Sequence, residues 1–187
     1  MNKGRQSIMN MELKNTALDD CYEITFPFSD DARGNFFKPY QKSFFSPLSF
    51  EFAEIYFSTS KKNVIRGMHF QLPPHEHTKI VTCISGCAFD VVMDLRRTSP
   101  TYGKSITFDL RGDNGCGILI PPGFAHGFCS LQDDTVISYF VSSEHSPKHD
   151  TGIHWTDAAV PWPAEDPIIS QRDASLPALS EFKTPFT

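Results

Sequence analysis

The 187-residue chain lacks a basic excess, a long apolar run and a C-x-x-C pair. Its formal net charge of −5, with no basic stripe, argues against a general nucleic-acid binder. No segment approaches the ~20 apolar residues of a membrane-spanning helix, and no apolar run in residues 1–20 indicates a signal peptide. The five scattered cysteines are typical of reduced thiols. These absences predict a soluble, cytoplasmic protein that binds neither nucleic acid nor membranes.

Helical periodicity is also scarce before about residue 165, and strand-like alternation recurs in its place. Five segments carry this alternation: 54–60, 79–85, 88–96, 104–110 and 135–142. Each is short and is bounded by turn sequences such as SG, RGDNG or PPG. The pattern predicts an all-β fold, a sandwich or jelly-roll barrel of antiparallel strands, with short helical segments near the C-terminus.

The length suits one domain with a substantial core. We predict a single domain over residues 1–187 with three parts. Residues 1–22 form a flexible lead-in, residues 23–165 form the jelly roll, and residues 166–187 form a tail that packs on the barrel.

Histidines cluster in the segment RGMHFQLPPHEHTK, residues 66–79. A metal-binding cupin jelly roll offers H-x-H, a nearby glutamate and a distant histidine, and here His75, His77 and His126 supply three candidate nitrogen ligands. The glutamate is missing, and Lys79 follows the histidines. A cation in that position would repel a divalent metal. A metal-dependent oxygenase is therefore the weaker interpretation.

The same segment suits acid–base chemistry. A histidine such as His69 is a natural base near neutral pH, and a lysine such as Lys79 can stabilise a developing enolate oxygen. Tyr139, on a later predicted strand, can return a proton from the opposite wall. Together with Arg66 nearby, this set predicts proton abstraction next to a carbonyl group.

Five motifs follow one another along the chain: RGMHFQ, TKIV, DLRRTSPTYG, IPPGFAHGF and GIHWTD. They closely resemble the dTDP-4-dehydrorhamnose 3,5-epimerase family, and DARGNFF (31–37) and IISQRD (168–173) fit the same pattern. The resemblance covers about residues 24–175. It implies a cupin jelly roll without metal or cofactor that acts on a nucleotide-linked 4-keto-6-deoxyhexose, most simply dTDP-linked, on the way to an L-rhamnose-like sugar. It also implies a homodimer in which an N-terminal segment contributes to the partner's site.

The resemblance assigns roles to individual residues. His69 matches the family's base, Asp173 the carboxylate that orients it, and Tyr139 the opposing acid. Lys79 matches the lysine near the sugar ketone, and His126 a histidine in the pocket.

Other positions match substrate-binding residues. Arg66 and Arg33 match contacts to the nucleotide phosphates, with Arg33 reaching into the neighbouring subunit. The remaining predicted substrate-binding positions are Lys38, Glu54, Tyr56, Gln71, Glu144, Asp150 and Arg172.

Several residues depart from the family pattern. Glu54 begins E-I-Y where the family has Q-x-N, and Lys38 stands where the family has a glutamate. The reversed charges at these two positions either compensate each other or indicate a different nucleotide. Glu144 replaces an aromatic residue, and His77 replaces a glutamine. These changes leave open a single-centre 3- or 5-epimerase acting on another nucleotide sugar.

A non-catalytic sugar-binding jelly roll is a further alternative. The joint presence of His69, Tyr139 and Lys79 disfavours it, because binding alone does not require an opposed base and acid.

Overall fold

Two large β-sheets and one small sheet form the fold of the computed structural model, which describes residues 7–8, 10–48 and 50–187. The six-stranded sheet has the order β2 (Glu12–Asn15), β3 (Tyr22–Thr25), β11 (Cys116–Ile120), β8 (Lys79–Ser85), β13 (Thr135–Val141) and β6 (Glu54–Ser60). The five-stranded sheet has the order β10 (Ser105–Arg111), β9 (Cys87–Asp94), β12 (Phe124–Ser130), β7 (Ile65–Gln71) and β14 (Asp150–Gly152). The small sheet contains β1 (Ser7–Ile8), β4 (Phe28–Asp31) and β5 (Gly34–Phe37).

Helices are few and short. The α-helices are α1 (Lys42–Phe45) and α2 (Gln171–Ala174), and 3₁₀ turns cover Ser46–Leu48, Trp155–Ala158 and Leu179–Glu181. No helix of the described residues is long and apolar enough to cross a membrane. The predicted all-β jelly roll with short C-terminal helical segments is confirmed.

The main core lies between the two large sheets. Val81 and Ile118 of the six-stranded sheet pack in one buried cluster with Val92 and Phe128 of the five-stranded sheet. Burial of such side chains contributes about 1.5–3 kcal/mol each, so this cluster holds the two sheets face to face. The sheets in turn fix the relative positions of the residues on their inner faces.

Strand β9 is buried on both faces. Val92 points into the main core, whereas Met93 belongs to a second cluster on the outer face of the five-stranded sheet. The chain end covers this outer face, where Phe182 and Phe186 lie 5.1 and 5.7 Å from Phe70 between ring centroids. The tail therefore supplies the apolar cover that the second face of the sheet needs.

Aromatic residues cover the outer face of the six-stranded sheet as well. Ile24, Ile80 and Phe140 of the sheet pack against Phe45 of α1 and Phe50. Several of the many phenylalanines therefore cover this sheet and do not line the cavity described below.

Strand β2 lies inside residues 1–22, which the sequence pattern predicted as a flexible lead-in. It pairs with β3 from Glu12↔Thr25 to Asn15↔Tyr22, so the large sheet begins at Glu12 and not at residue 23. Segment 12–15 has one apolar residue, Leu13, and an edge strand of this length shows no readable alternation. Residues 1–6 and 9 of the predicted lead-in lie outside the described residues.

Strands β7 and β12 approach closely at a pair of glycines. A Cβ atom on Gly67 would lie 2.5 Å from the Cα of Gly127, and the φ of Gly67 is +137°. Both facts exclude a side chain at this position. The close approach brings His69 and His126 opposite each other in the ladder between these strands.

Candidate active site

A cavity of about 340 Å³ is lined by residues of both large sheets. Seven predicted site residues line it: Glu54, Tyr56, His69, Gln71, Lys79, Asp150 and Arg172. Three further lining residues, Phe70, Val141 and His145, were not named from the sequence, and His77 was named only as a candidate metal ligand and as a departure from the family pattern. A cavity of this size can hold a sugar ring, and its polar groups converge from two sides.

His69 forms a pair with Asp173 although 104 residues separate them. Ser170 caps the short helix α2 by accepting the N–H of Asp173 at 3.0 Å, which fixes the start of this turn. The Asp173 carboxylate then contacts His69 Nε2 at 2.8 Å and accepts the Gly67 N–H at 3.1 Å. Burial alone would raise the pKa of Asp173, but its hydrogen bonds with His69 and Gly67 outweigh this and lower it.

The ionised carboxylate determines which nitrogen of His69 is basic. Because a carboxylate only accepts hydrogen bonds, Nε2 carries the proton and donates it to Asp173. Nδ1 has no hydrogen bond to any described residue. His69 therefore offers an oriented basic nitrogen, and its side chain is 27% exposed at the cavity.

Tyr139 lies on β13, in the opposite sheet from His69. Its ring stacks on Tyr56 at 4.6 Å between centroids, with His126 at 6.1 Å on another side. Its hydroxyl is 3.3 Å from the hydroxyl of Ser58. Burial raises the pKa of Tyr139 well above its usual value, so the phenol is neutral. Tyr56, on which it stacks, lines the cavity, whereas Tyr139 is not among the lining residues. Tyr139 is therefore a candidate proton donor from behind the second wall.

Lys79 lies between these two groups at the start of β8. Its Nζ donates a hydrogen bond to the backbone carbonyl of His69 at 3.2 Å, and its side chain is 7% exposed. Burial lowers the pKa of Lys79 to about 8, against the opposing effect of Asp150 and Asp90. The ammonium is thus sparsely solvated and available to a negative oxygen in the cavity.

His126 lies beneath the cavity rather than on its surface. It is 4% exposed, and its Nε2 is 2.8 Å from a carboxylate oxygen of Asp90. Burial raises the pKa of Asp90, and its contact with His126 opposes that rise. His126 lies against the Tyr139 ring and so helps to fix the position of that ring.

Four predicted binding residues lie outside the cavity of their own chain. Arg66 donates to the Ser60 hydroxyl at 3.0 Å and to the Thr59 carbonyl. Arg33 pairs with Asp31 at 2.6 Å beside the small sheet. Lys38 is exposed, and so is the side chain of Glu144, whose backbone carbonyl lies 3.3 Å from Gln71 Nε2.

The cavity mouth carries a cluster of charged groups. Asp150 contacts Arg172 at 2.9 Å and His145 Nε2 at 3.2 Å. Glu54 accepts the backbone N–H of His145 at 2.8 Å, which ties the loop after β13 to strand β6. Between Glu54 and Lys38 the described residues show no ion pair, so their proposed compensation is not formed within one chain.

The three candidate metal ligands do not converge. His126 contacts Asp90, the His75 ring lies 4.3 Å from the His149 ring at a tilt of 35°, and Nδ1 of His77 contacts Gln71. Across residues 7–8, 10–48 and 50–187, no group of three or more His, Cys, Asp or Glu side chains is arranged to hold a metal ion.

A jelly roll with a His–Asp pair on one wall, a neutral tyrosine behind the other and a lysine between them defines the class of cupin-fold sugar epimerases. The family model for dTDP-4-dehydrorhamnose 3,5-epimerase matches residues 15–181, and the chain belongs to this family. The resemblance read from the motifs is thereby confirmed.

Individual relatives agree with this assignment. The chain is 45% identical over 125 residues to the dTDP-4-dehydrorhamnose 3,5-epimerase of Sinorhizobium fredii, covering 65% of this chain and 64% of that enzyme. It is 36% identical over 172 residues to the Salmonella typhimurium enzyme, covering 89% and 94%. A solved epimerase from Legionella pneumophila, in complex with dTDP-4-keto-L-rhamnose, matches with a TM-score of 0.87 and 32% identity, covering 93% of this chain and 95% of that one.

Proposed function

We propose that the protein epimerises C3 and C5 of dTDP-4-keto-6-deoxyglucose by proton transfer through an enolate, without a cofactor. The observation that carries this proposal is the hydrogen bond between His69 Nε2 and Asp173, because it leaves Nδ1 of a cavity histidine as an oriented base. The 4-ketone acidifies the hydrogens at the two neighbouring carbons, so one base can serve both.

The geometry supports a two-wall mechanism. His69 on β7 removes a proton from one face of the sugar, and Asp173 stabilises the imidazolium that forms. Lys79 stabilises the enolate oxygen. Tyr139 lies on β13 of the facing sheet and returns a proton to the other face, which inverts the carbon. The base and acid act on opposite faces because the sandwich holds their strands in opposite sheets.

The nucleotide contacts are proposed to involve two chains. Arg66 and Arg33 are the candidate phosphate ligands, and Arg33 lies beside the small sheet, away from the cavity of its own chain. Edge strand β6 exposes Ile55 and Phe57 by 42% and 61%, and an exposed apolar edge is a pairing surface. We infer a cytoplasmic homodimer in which Arg33 enters the partner's site; a monomer in sedimentation equilibrium would overturn it.

Deuterium incorporation from heavy water tests the function. Wild-type protein is incubated with dTDP-4-keto-6-deoxyglucose in D₂O, and NMR identifies the labelled carbons. Label at C3 and C5 is the expected result. Absence of label would show that the nucleotide sugar or the reaction class is wrong.

A single-centre epimerase is the second candidate, and one observation favours it. The loop after β13 places His145 at the cavity wall, whereas Glu144 stands where an aromatic residue was expected and has an exposed side chain. A different loop surface would change which ring conformer the cavity accepts. Label at one carbon alone in the same experiment would establish this alternative.

Activity is expected to decline as the pH rises through about 8, because burial lowers the pKa of Lys79 to about 8 and only its ammonium form stabilises the enolate. The same lowered pKa has the opposite effect on stability, which increases with pH in this range. Between about 8 and the ordinary value of 10.5 the native state binds fewer protons than the unfolded chain, so the free energy of unfolding rises with pH. A pH–kcat profile measures the first effect. Lys79→Arg, which keeps its charge, should lose the decline, and an unchanged profile in this variant would contradict the role.

Removal of metal ions is expected to leave activity unchanged, because His75, His77 and His126 each contact other side chains and do not share a centre. The measurement is the deuterium-exchange rate before and after dialysis against EDTA, with elemental analysis of the same sample. Loss of activity that a divalent ion restores would reopen the metal-dependent alternative.

A further inference from the structure

His77 is buried at the cavity wall in a position that the mechanism above does not use. It is 9% exposed and follows the proline-rich turn before β8. Its Nδ1 lies 3.1 Å from Gln71 Nε2 and 3.2 Å from the Ser143 hydroxyl. One edge of the imidazole is therefore fixed against polar groups of the protein.

The orientation of the Gln71 amide determines the tautomer of His77. Gln71 Oε1 accepts the backbone N–H of Ser146 at 2.6 Å, so Nε2 is the group that faces His77. Gln71 Nε2 has two protons, and its two shortest contacts are the His75 carbonyl at 2.7 Å and His77 Nδ1 at 3.1 Å, ahead of the Glu144 carbonyl at 3.3 Å and the Ser143 hydroxyl at 3.4 Å. We assign the two protons to the two shorter contacts. An amide nitrogen only donates, so Nδ1 must accept, and the ring proton resides on Nε2.

The protonated nitrogen has no partner. Nε2 of His77 is buried without a hydrogen bond to any described residue. Buried donors are almost always paired in native proteins, and an exception calls for a specific explanation. The charged groups that influence the ring electrostatically are Lys79, Asp150 and His145, all of which line the cavity. His77 itself lines the cavity beside these groups, so the unpartnered Nε2 belongs to a residue of the cavity wall.

We propose that His77 binds the substrate by donating a hydrogen bond from Nε2 to an uncharged oxygen of the sugar ring. This inference rests on the proposed function. Burial, with the charge of Lys79, lowers the pKa of His77 to about 3, so the imidazole is a neutral donor throughout the physiological range. The neutral His77 donor, two residues from Lys79, suits a hydroxyl or ketone oxygen better than a charged phosphate. The candidate phosphate ligands of the chain are arginines. His77 is thus a specificity residue for the hexose.

Two variants and two ligands test the proposal. His77→Phe keeps a flat ring and removes the donor, and His77→Gln restores one. For His77→Phe we expect KM for dTDP-4-keto-6-deoxyglucose to rise about 3- to 10-fold, the loss of one hydrogen bond, with little change in kcat. The Kd for dTDP, which has no sugar, should stay unchanged, and His77→Gln should remain close to wild type. His75→Ala is the matched control, because His75 lies outside the cavity lining.

Other results would overturn the proposal. An unchanged KM in His77→Phe would show that Nε2 does not contact the sugar, and an equal loss of dTDP affinity would assign His77 to the nucleotide or to the fold.

Since this variant can also misfold, ¹⁵N NMR of the wild-type histidines provides an independent measurement. We expect the Nε2–H tautomer for His77 and a shift of that signal with the nucleotide sugar but not with dTDP. An Nδ1–H tautomer, or a signal that the sugar leaves unmoved, would refute it. Failure of wild-type protein to label the substrate would instead refute the proposed function, while the tautomer would stand.

Discussion

Replacement of His69 by alanine is expected to abolish proton exchange at both C3 and C5. His69 is the cavity histidine with a buried carboxylate partner, because Asp173 is 5% exposed, whereas His145 contacts Asp150 at the cavity mouth and is itself 54% exposed. We therefore expect no other cavity group to replace His69 as the base. Because the variant lacks the general base, and because catalytic groups that act together lose most of their effect when one is removed, we expect the exchange rate to fall by ~10³-fold or more. Deuterium incorporation followed by NMR measures it directly.

The fold should survive this change. The His69 side chain is 27% exposed, and Asp173 keeps its hydrogen bond from the Gly67 N–H, so the loss of one buried partner should cost about 1–3 kcal/mol of stability. Chemical denaturation checks this point. His75→Ala is the control and should retain nearly full exchange. Exchange near the wild-type rate in His69→Ala would exclude His69 as the base.

Replacement of Tyr139 by phenylalanine is expected to separate proton abstraction from inversion. His69 still removes a proton and can return one to the same face, so label should enter the sugar without a change of configuration. Loss of the general acid should slow inversion by ~10²- to 10⁴-fold. The ring remains stacked on Tyr56, and the hydroxyl gives up one long contact of 3.3 Å to Ser58, so the fold should be little affected.

Two measurements on the same sample distinguish these steps. NMR in D₂O reports the rate of label entry, and the coupling constants of the product report its configuration. Ser58→Ala is the matched control, because it removes the hydroxyl partner of Tyr139 and keeps the acid. Normal inversion by Tyr139→Phe would assign the second proton transfer to another group.

Alternation in the sequence predicted five of the seven strands that have seven or more residues, and missed β7 and β12, which carry His69 and His126. Segments such as 135–142 carry apolar side chains on both faces, and the structure places β13 in the sheet as expected. Strand β2 could not be predicted, because four residues with one apolar side chain contain no readable period. The packing of the tail 166–187 on the barrel was predicted, but the face that Phe182 and Phe186 cover was not, since nothing local shows that the outer face of β9 needs a cover.

The sequence identified site residues only where they lie in motifs that resemble the family. His69 and Asp173 lie 104 residues apart, and no periodic pattern could bring them together without the family resemblance. His145 was not predicted and His77 was not assigned a binding role, because both lie in irregular segments. The orientation of these segments depends on distant partners, Gln71 for His77 and Glu54 for His145. Residues on loops are oriented by such contacts rather than by chain direction.

The glycine contact between β7 and β12 has a consequence for protein engineering. The N–H that holds the Asp173 carboxylate belongs to Gly67, and the backbone of Gly127 occupies the space that any side chain at Gly67 would need. The proposed base is therefore supported from a position at which we expect random mutagenesis to find no acceptable replacement. Directed evolution toward new sugars would best keep both glycines fixed and diversify the loop 142–149, which borders the same cavity without supporting the base.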